Sequence, residues 1–156
     1  MTLPPNPPAS AKPVVMDVAT LQSFLSNYLP ESDLSHFVLE SVGPMSARLR
    51  MPFHQRHLRL GGTISGPAMF AVADVAIYMA ILAQLGPEAA FTVTTNLNIN
   101  FLLKPAARDV IAECRLMKLG KRLCVGEAWL YSDGQDDPVA HATGTYSIPP
   151  RAIAGP

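Results

Sequence analysis

Charge is what this 156-residue chain has least of: 15% of its residues are Asp, Glu, Lys or Arg, and twelve acids balance twelve bases to a formal net charge of +0. With no excess of either sign there is no strong field to attract a polyanion, which argues against whole-surface nucleic-acid binding, although a small basic patch could still grip a phosphate. Cysteine is scarce too. Cys114 and Cys124 stand in apolar, strand-like sequence, where a free thiol behaves as a small buried hydrophobe, so a reducing, cytoplasmic compartment is expected. No GxxxxGK[ST] or GxGxxG stretch occurs, so nucleotide-phosphate cradles of those types are absent. Residues 1–13 hold five of the fifteen prolines and lack both a basic n-region and an apolar h-region. That composition predicts a disordered Pro-rich lead over 1–16 rather than a signal peptide, then a single domain over 17–149 and a flexible tail over 150–156.

Apolar residues are plentiful at 49%, and a chain of this length can bury around 70% of its unfolded surface without a disulfide or metal staple. Residues 17–28 read as a short amphipathic helix, with Val18, Leu21, Phe24, Leu25 and Tyr28 at helical spacing and Pro30 as its stop. Residues 36–52 read as one long strand bent at Gly43-Pro44, and 54–62, HQRHLRLGG, as a polar, basic loop. Gly66–Leu85, GPAMFAVADVAIYMAILAQL, is apolar on every side except for Asp74, with Gly66-Pro67 at its start and Gly86-Pro87 at its end.

A helix of this length spans about 30 Å, enough for a membrane. A mid-span Asp would cost about 3 kcal/mol there, however, and the rest of the chain reads as soluble strands. The alternative, a fully buried helix, is favoured. Four strands follow. In 92–103, Val93, Leu97, Ile99, Phe101 and Leu103 alternate with Thr94, Asn96, Asn98 and Asn100; 110–119 places Val110, Ala112, Cys114 and Leu116 on one face. The turn Gly120-Lys121-Arg122 leads into 123–131, and SDGQDDP leads into 139–148. Cys124, Gly126 and Ala128 share one face, as do Ala140, Ala142 and Gly144, so a thick helix could lie close to the sheet. The order predicts an α+β fold: consecutive antiparallel strands forming a sheet wrapped around one long central helix that is buried throughout.

Taken in order, SGPAMFAVADVA, TVTTNLNINFLLKP, the turn LGKR and VAHATGTYSIP resemble the PaaI-like acyl-CoA thioesterases of the hotdog fold, over about residues 37–149. The resemblance implies an enzyme that hydrolyses acyl-CoA, acting as a homodimer or homotetramer with active sites between subunits. No cofactor beyond the coenzyme A of the substrate, no metal, no nucleic-acid partner and no membrane partner are expected. Where the family reads His-Gly-Gly before its helix, this chain has Ser65, Gly66 and Pro67. Gly66 matches the glycine whose N–H polarises the thioester carbonyl, Asp74 the acid-base or nucleophile, and Thr94 the hydroxyl that holds the attacking water. Arg59 stands where a polar amide is common. Lys121 and Arg122, with Gly120, are candidates to grip the phosphates of coenzyme A, with Arg56 and Arg59 as second candidates. Ser65 and Asn96 complete the expected substrate-binding set.

The residues themselves carry part of this argument. A thiol leaving group with a pKa near 8.5 departs as thiolate with little help, so the reaction needs a base or nucleophile and an oxyanion donor. An Asp in an apolar helix is desolvated and so expected to be the stronger base. The helix start offers the N–H groups of Gly66, Ala68 and Met69 at the positive end of the dipole, while Pro67 has none. Asp74 lies eight residues past Gly66, or about 12 Å along a helix. One side chain does not bridge that gap, so a carbonyl held at Gly66 calls for Asp74 of another subunit. Competing readings remain: Asp74 as a buried structural group bonded to Thr94, Ser65 as a helix cap or a nucleophile, His54 and His57 as a metal pair, His141 as a surface residue, and the whole chain as a catalytically silent acyl-CoA or hydrophobic-ligand binding protein.

Overall fold

The computed structural model describes residues 13–28 and 33–150. Residues 1–12 of the expected lead, the expected stop at Pro30 and residues 151–156 of the expected tail lie outside them. Residues 14–16, at the end of the expected lead, lie against the core, Val14 packing on it. Val15 and Met16 donate their N–H groups to the Ala83 carbonyl at 2.8 and 3.2 Å, and Met16 is buried. Helix α1, Val18–Tyr28, follows, with Asp17 capping it through the Thr20 N–H at 2.8 Å.

The expected single strand over 36–52 is a hairpin of two, β1 (Val38–Gly43) and β2 (Ser46–Met51). The chain reverses at Gly43-Pro44-Met45-Ser46, where Met45 takes a positive φ of 57°. Helix α2, Gly66–Leu85, has the expected bounds. After it come β3 (Val93–Phe101), β4 (Val110–Leu119), β5 (Leu123–Ser132) and β6 (Pro138–Ser147). All pairings are antiparallel, in the order β1-β2-β4-β5-β6-β3. The strands are therefore not neighbours in simple succession. β3 crosses the sheet to pair with β6 and forms an edge, its far side unpaired among the described residues.

The sheet curls around α2, with Val110, Ala112, Cys114 and Leu116 of β4 buried beneath it. Gly126 of β5 and Gly144 of β6 stand directly opposite each other in the ladder, and Ile77 of α2 drops between them. A Cβ on Gly126 would sit 2.9 Å from Ile77 Cγ2, and one on Gly144 would sit 3.2 Å from Ile77 Cδ1. This is why the small-residue faces of β5 and β6 are small. α2 is long and apolar enough to cross a membrane, but here it is the core helix of the sheet. It is not buried throughout. Pro67, Phe70 and Ala71 are exposed and Asp74, Val75 and Tyr78 half-buried, a stripe at i, i+3, i+4, i+7, i+8 and i+11 that the sheet leaves uncovered.

The outer face of the sheet is polar, with Arg48 and Arg50 linked to Glu40, Glu113, Asp109 and Asp133. His141 is also on this face but is half-buried, its ring 4.1 Å from that of Trp129 and its Nε2 3.0 Å from Glu127.

Candidate active site

Asp74 stands in the middle of α2, and two hydroxyls from the sheet converge on it. Thr94 Oγ1 donates to Asp74 Oδ1 at 2.7 Å, and Tyr146 Oη donates to the same oxygen at 2.7 Å. The Tyr146 hydroxyl also lies 3.0 Å from the main-chain oxygen of Asp74. Among the described residues no donor reaches Oδ2. One carboxylate oxygen is thus held by two hydroxyls and the other is not. Burial, followed by the Asp74 charge, raises the Tyr146 hydroxyl well above the ordinary phenol range, so it stays a donor.

Tyr146 is the residue that sequence reasoning missed. Its parity with Ala140, Ala142 and Gly144 puts it on the helix side of β6, where a buried phenol needs a hydrogen-bond partner. That need was the available signal. Gly144 makes room for it, since a Cβ there would lie 2.9 Å from Tyr146 Cε2.

Thr94 and Asn96 do not share a face. The register of β3 against β6 shifts between them, so Thr95 is an extra residue. Thr94 consequently points at α2, Leu97 packs toward Gly144 and Ile77, and Asn96 faces away, exposed. The expected polar face of Thr94, Asn96 and Asn98 is therefore broken after Thr94.

At the start of α2, Ser65 is the N-cap, its Oγ accepting the Ala68 N–H at 3.3 Å and its carbonyl the Met69 N–H at 3.1 Å. Of the three donors expected at this end, Ala68 and Met69 are thus spent within the helix. The Gly66 N–H has no acceptor among the described residues. Gly66 lines a groove of about 480 Å³ together with Arg59, Met69, Phe101, Leu103 and Lys104. Phe101 lies against Gly66, where a Cβ would come 3.2 Å from its Cζ. Asp74 does not line this groove.

Gly120, Lys121 and Arg122 sit elsewhere. They line a second groove of about 470 Å³ with Leu85, Leu119, Ile148 and Pro150. Because Leu85 ends α2, this groove lies at the far end of the helix from Gly66, about 28 Å away. The turn at Gly120 is tight, since a Cβ there would come 3.0 Å from the Leu123 carbonyl.

His54 and His57 stand with ring centroids 6.0 Å apart, and no group of three metal-ligating side chains occurs among the described residues. Burial, then the charges of Arg56, His54 and His36, holds His57 below the ordinary histidine value, and its buried Nδ1 has no partner among the described residues. Cys114 and Cys124 are buried and unpaired, the Cys124 thiol pushed up by burial to about 12.

Residues 61–139 match the family model described as the thioesterase superfamily. A candidate thioesterase from Silicibacter sp. is similar over 90% of this chain and 97% of its own, at 42% identity and a TM-score of 0.82. A candidate esterase from Saccharolobus solfataricus is 28% identical over 81% of this chain and 84% of its own. The phenylacetic acid degradation protein PaaI of Thermus thermophilus, solved in a mutant form, shares the fold over 81% of this chain and 99% of its own, at 23% identity and a TM-score of 0.63. With half of its length matched by the family and a relative of this similarity, the chain belongs to the thioesterase superfamily, the thioester hydrolases of the hotdog fold whose architecture it shares with PaaI.

Proposed function

We propose that this protein hydrolyses acyl-CoA thioesters to the free acid and coenzyme A, in a site shared between two subunits of a homodimer or homotetramer. The observation that carries the proposal is the lone carboxylate on the uncovered stripe of α2, with Oδ1 held by Thr94 and Tyr146 and Oδ2 left open. The spare N–H of Gly66 is eight residues away on the same helix, about 12 Å. A carbonyl bound at Gly66 therefore meets Asp74 of a second subunit.

Asp74 Oδ2 takes a proton from water as the water oxygen bonds to the carbonyl carbon, or attacks that carbon itself. The Gly66 N–H receives the developing oxyanion, and the carbon–sulfur bond breaks with release of the thiolate; where Oδ2 is the nucleophile, water then cleaves the mixed anhydride formed on Asp74 and releases the free acid. Thr94 spends its proton on Asp74 and keeps its lone pairs to accept from the attacking water. No cofactor or metal takes part in this scheme.

A two-fold pair with Gly66 against the partner's Asp74 runs the two helices antiparallel about residue 70, since each contact is made twice. The Leu85 end of the Asp74-bearing subunit then lies about 16 Å beyond the carbonyl site, a span comparable with the pantetheine arm. Lys121 and Arg122 of that subunit are thereby assigned to the phosphates of coenzyme A, and Arg59 to the groove at the carbonyl. The open edge of β3, with exposed Val93 and Phe101, offers the surface for pairing. The buried thiols fit a reducing cytoplasm.

The test is free-thiol release from a panel of short, long and aryl acyl-CoAs by the wild type and by Asp74→Asn. Turnover that depends on Asp74 supports the proposal. Tight binding of acyl-CoA without turnover would identify a silent binding protein instead.

A further inference from the structure

We propose that Tyr146 is a positioning residue for Asp74: its hydroxyl fixes the carboxylate so that the reaction runs through Oδ2, and it follows the carboxylate's change of charge during turnover. The inference rests on the reading of Asp74 as the reacting group.

Tyr146 is 1% exposed and sits on β6, so substrate does not reach it. Its hydroxyl carries one proton and has two acceptors within range, Asp74 Oδ1 at 2.7 Å and the Asp74 main-chain oxygen at 3.0 Å. While Asp74 is ionised, the proton belongs on Oδ1, because a hydrogen bond to a charged acceptor is roughly twice as strong as one to a neutral oxygen. When Asp74 has taken the proton of water, Oδ1 needs the donor less, and the phenol O–H can turn to the main-chain oxygen without moving the ring. The charge on Asp74 thus changes without leaving a buried donor unpaired, which would otherwise be costly. Thr94 donates to the same Oδ1 from β3, so the carboxylate is gripped from two strands. The groups acting on Tyr146 are Asp74 of α2, Thr94 of β3 and Cys114 of β4, whose burial keeps its thiol neutral. Asp74 is therefore the group among them that carries a charge beside the phenol.

The test compares Tyr146→Phe with wild type, using acyl-CoA hydrolysis from acid to neutral pH. Losing a hydrogen bond to the ionised form makes the carboxylate easier to protonate, so the acid limb of kcat/KM should move to higher pH. kcat should fall about tenfold, as expected for one hydrogen bond to a charged group, with KM within about twofold, because Tyr146 does not contact substrate. Replacing Tyr146 with 3-fluorotyrosine, a stronger donor of nearly the same shape, should move the limb the opposite way, and this arm holds even if the Phe variant folds poorly. In an Asp74→Asn background, Tyr146→Phe should leave the residual rate unchanged. An unmoved acid limb in both variants, or a rise in KM with kcat unchanged, overturns the inference while leaving Asp74 in place. Normal turnover by Asp74→Asn overturns both.

Discussion

Phe70 and Asp74 stand one helical turn apart on the same uncovered face of α2, the ring 40% exposed and the carboxylate half-buried. If Gly66 of one subunit serves Asp74 of another, residue 70 lies on the two-fold axis, and each Phe70 meets its own copy. Phe70→Cys should therefore form a symmetric disulfide between subunits under mild oxidation. The native thiols will not interfere, since Cys114 and Cys124 are buried. Non-reducing gel electrophoresis reads the result, and a variant that stays monomeric there while remaining dimeric in ultracentrifugation would rule out this axis.

Asp74→Asn preserves shape and removes charge. The expected outcome is a folded protein whose kcat falls by about 10² to 10⁴. Mixing it with subunits blocked at the Gly66 loop should restore activity, because some mixed dimers regain one intact site. Absence of rescue, with subunit exchange demonstrated by mass spectrometry, would place both halves of the site in one chain.

Lys121→Ala with Arg122→Ala should raise KM for acyl-CoA several-fold with little change in kcat, since phosphate contacts far from the carbonyl are made equally in ground and transition states. Both side chains are exposed, so the effect should shrink as salt rises. Equal KM values for variant and wild type at low salt would remove the basic turn from the binding site.

His57 gives a pH dependence of stability. Its folded-state value lies below the ordinary histidine value, so its neutral form is favoured in the fold and the unfolded chain binds more protons. Its contribution is complete above the unfolded value of about 6.5 and is lost as pH falls below it. Wild type should lose more in Tm between pH 7.5 and pH 5 than His57→Phe does; parallel losses would show that His57 takes no part.

The lengths of sequence that were legible are those whose signals are local. Gly66-Pro67 and Gly86-Pro87 bracket α2, and the small residues of β5 and β6 reveal which face meets it. The hairpin at residues 43–46 was not legible as a reversal, because it relies on Met45 taking a left-handed conformation that side-chain type does not advertise. The extra residue at Thr95 was hidden because Thr94 and Thr95 are both polar and the alternation reads through them. At the site, Asp74, Gly66 and Thr94 were named from sequence; the structure joins Thr94 to Asp74 by a hydrogen bond and leaves Gly66 at the start of the helix, in a separate groove. Tyr146 was not, because its partner is 72 residues earlier in the chain.

Gly126→Ala should cost about 1–3 kcal/mol of stability, read from urea unfolding, because the added carbon would lie 2.9 Å from Ile77 Cγ2 and 3.2 Å from Leu116 Cδ2. A neutral substitution would mean that the helix yields without strain.

Ile77 seated between the paired Gly126 and Gly144 also acts as a detent. A smooth apolar helix on a smooth apolar sheet could slide along its axis at little cost, since dispersion and hydrophobic contact have no direction. One branched side chain in a two-glycine notch removes that freedom, and Asp74 lies three positions before it on the same rigid rod. The carboxylate is thus indexed to the hydroxyls of Thr94 and Tyr146 by a hydrocarbon in a hole, and the alignment of the polar site is fixed by the shape of the apolar one.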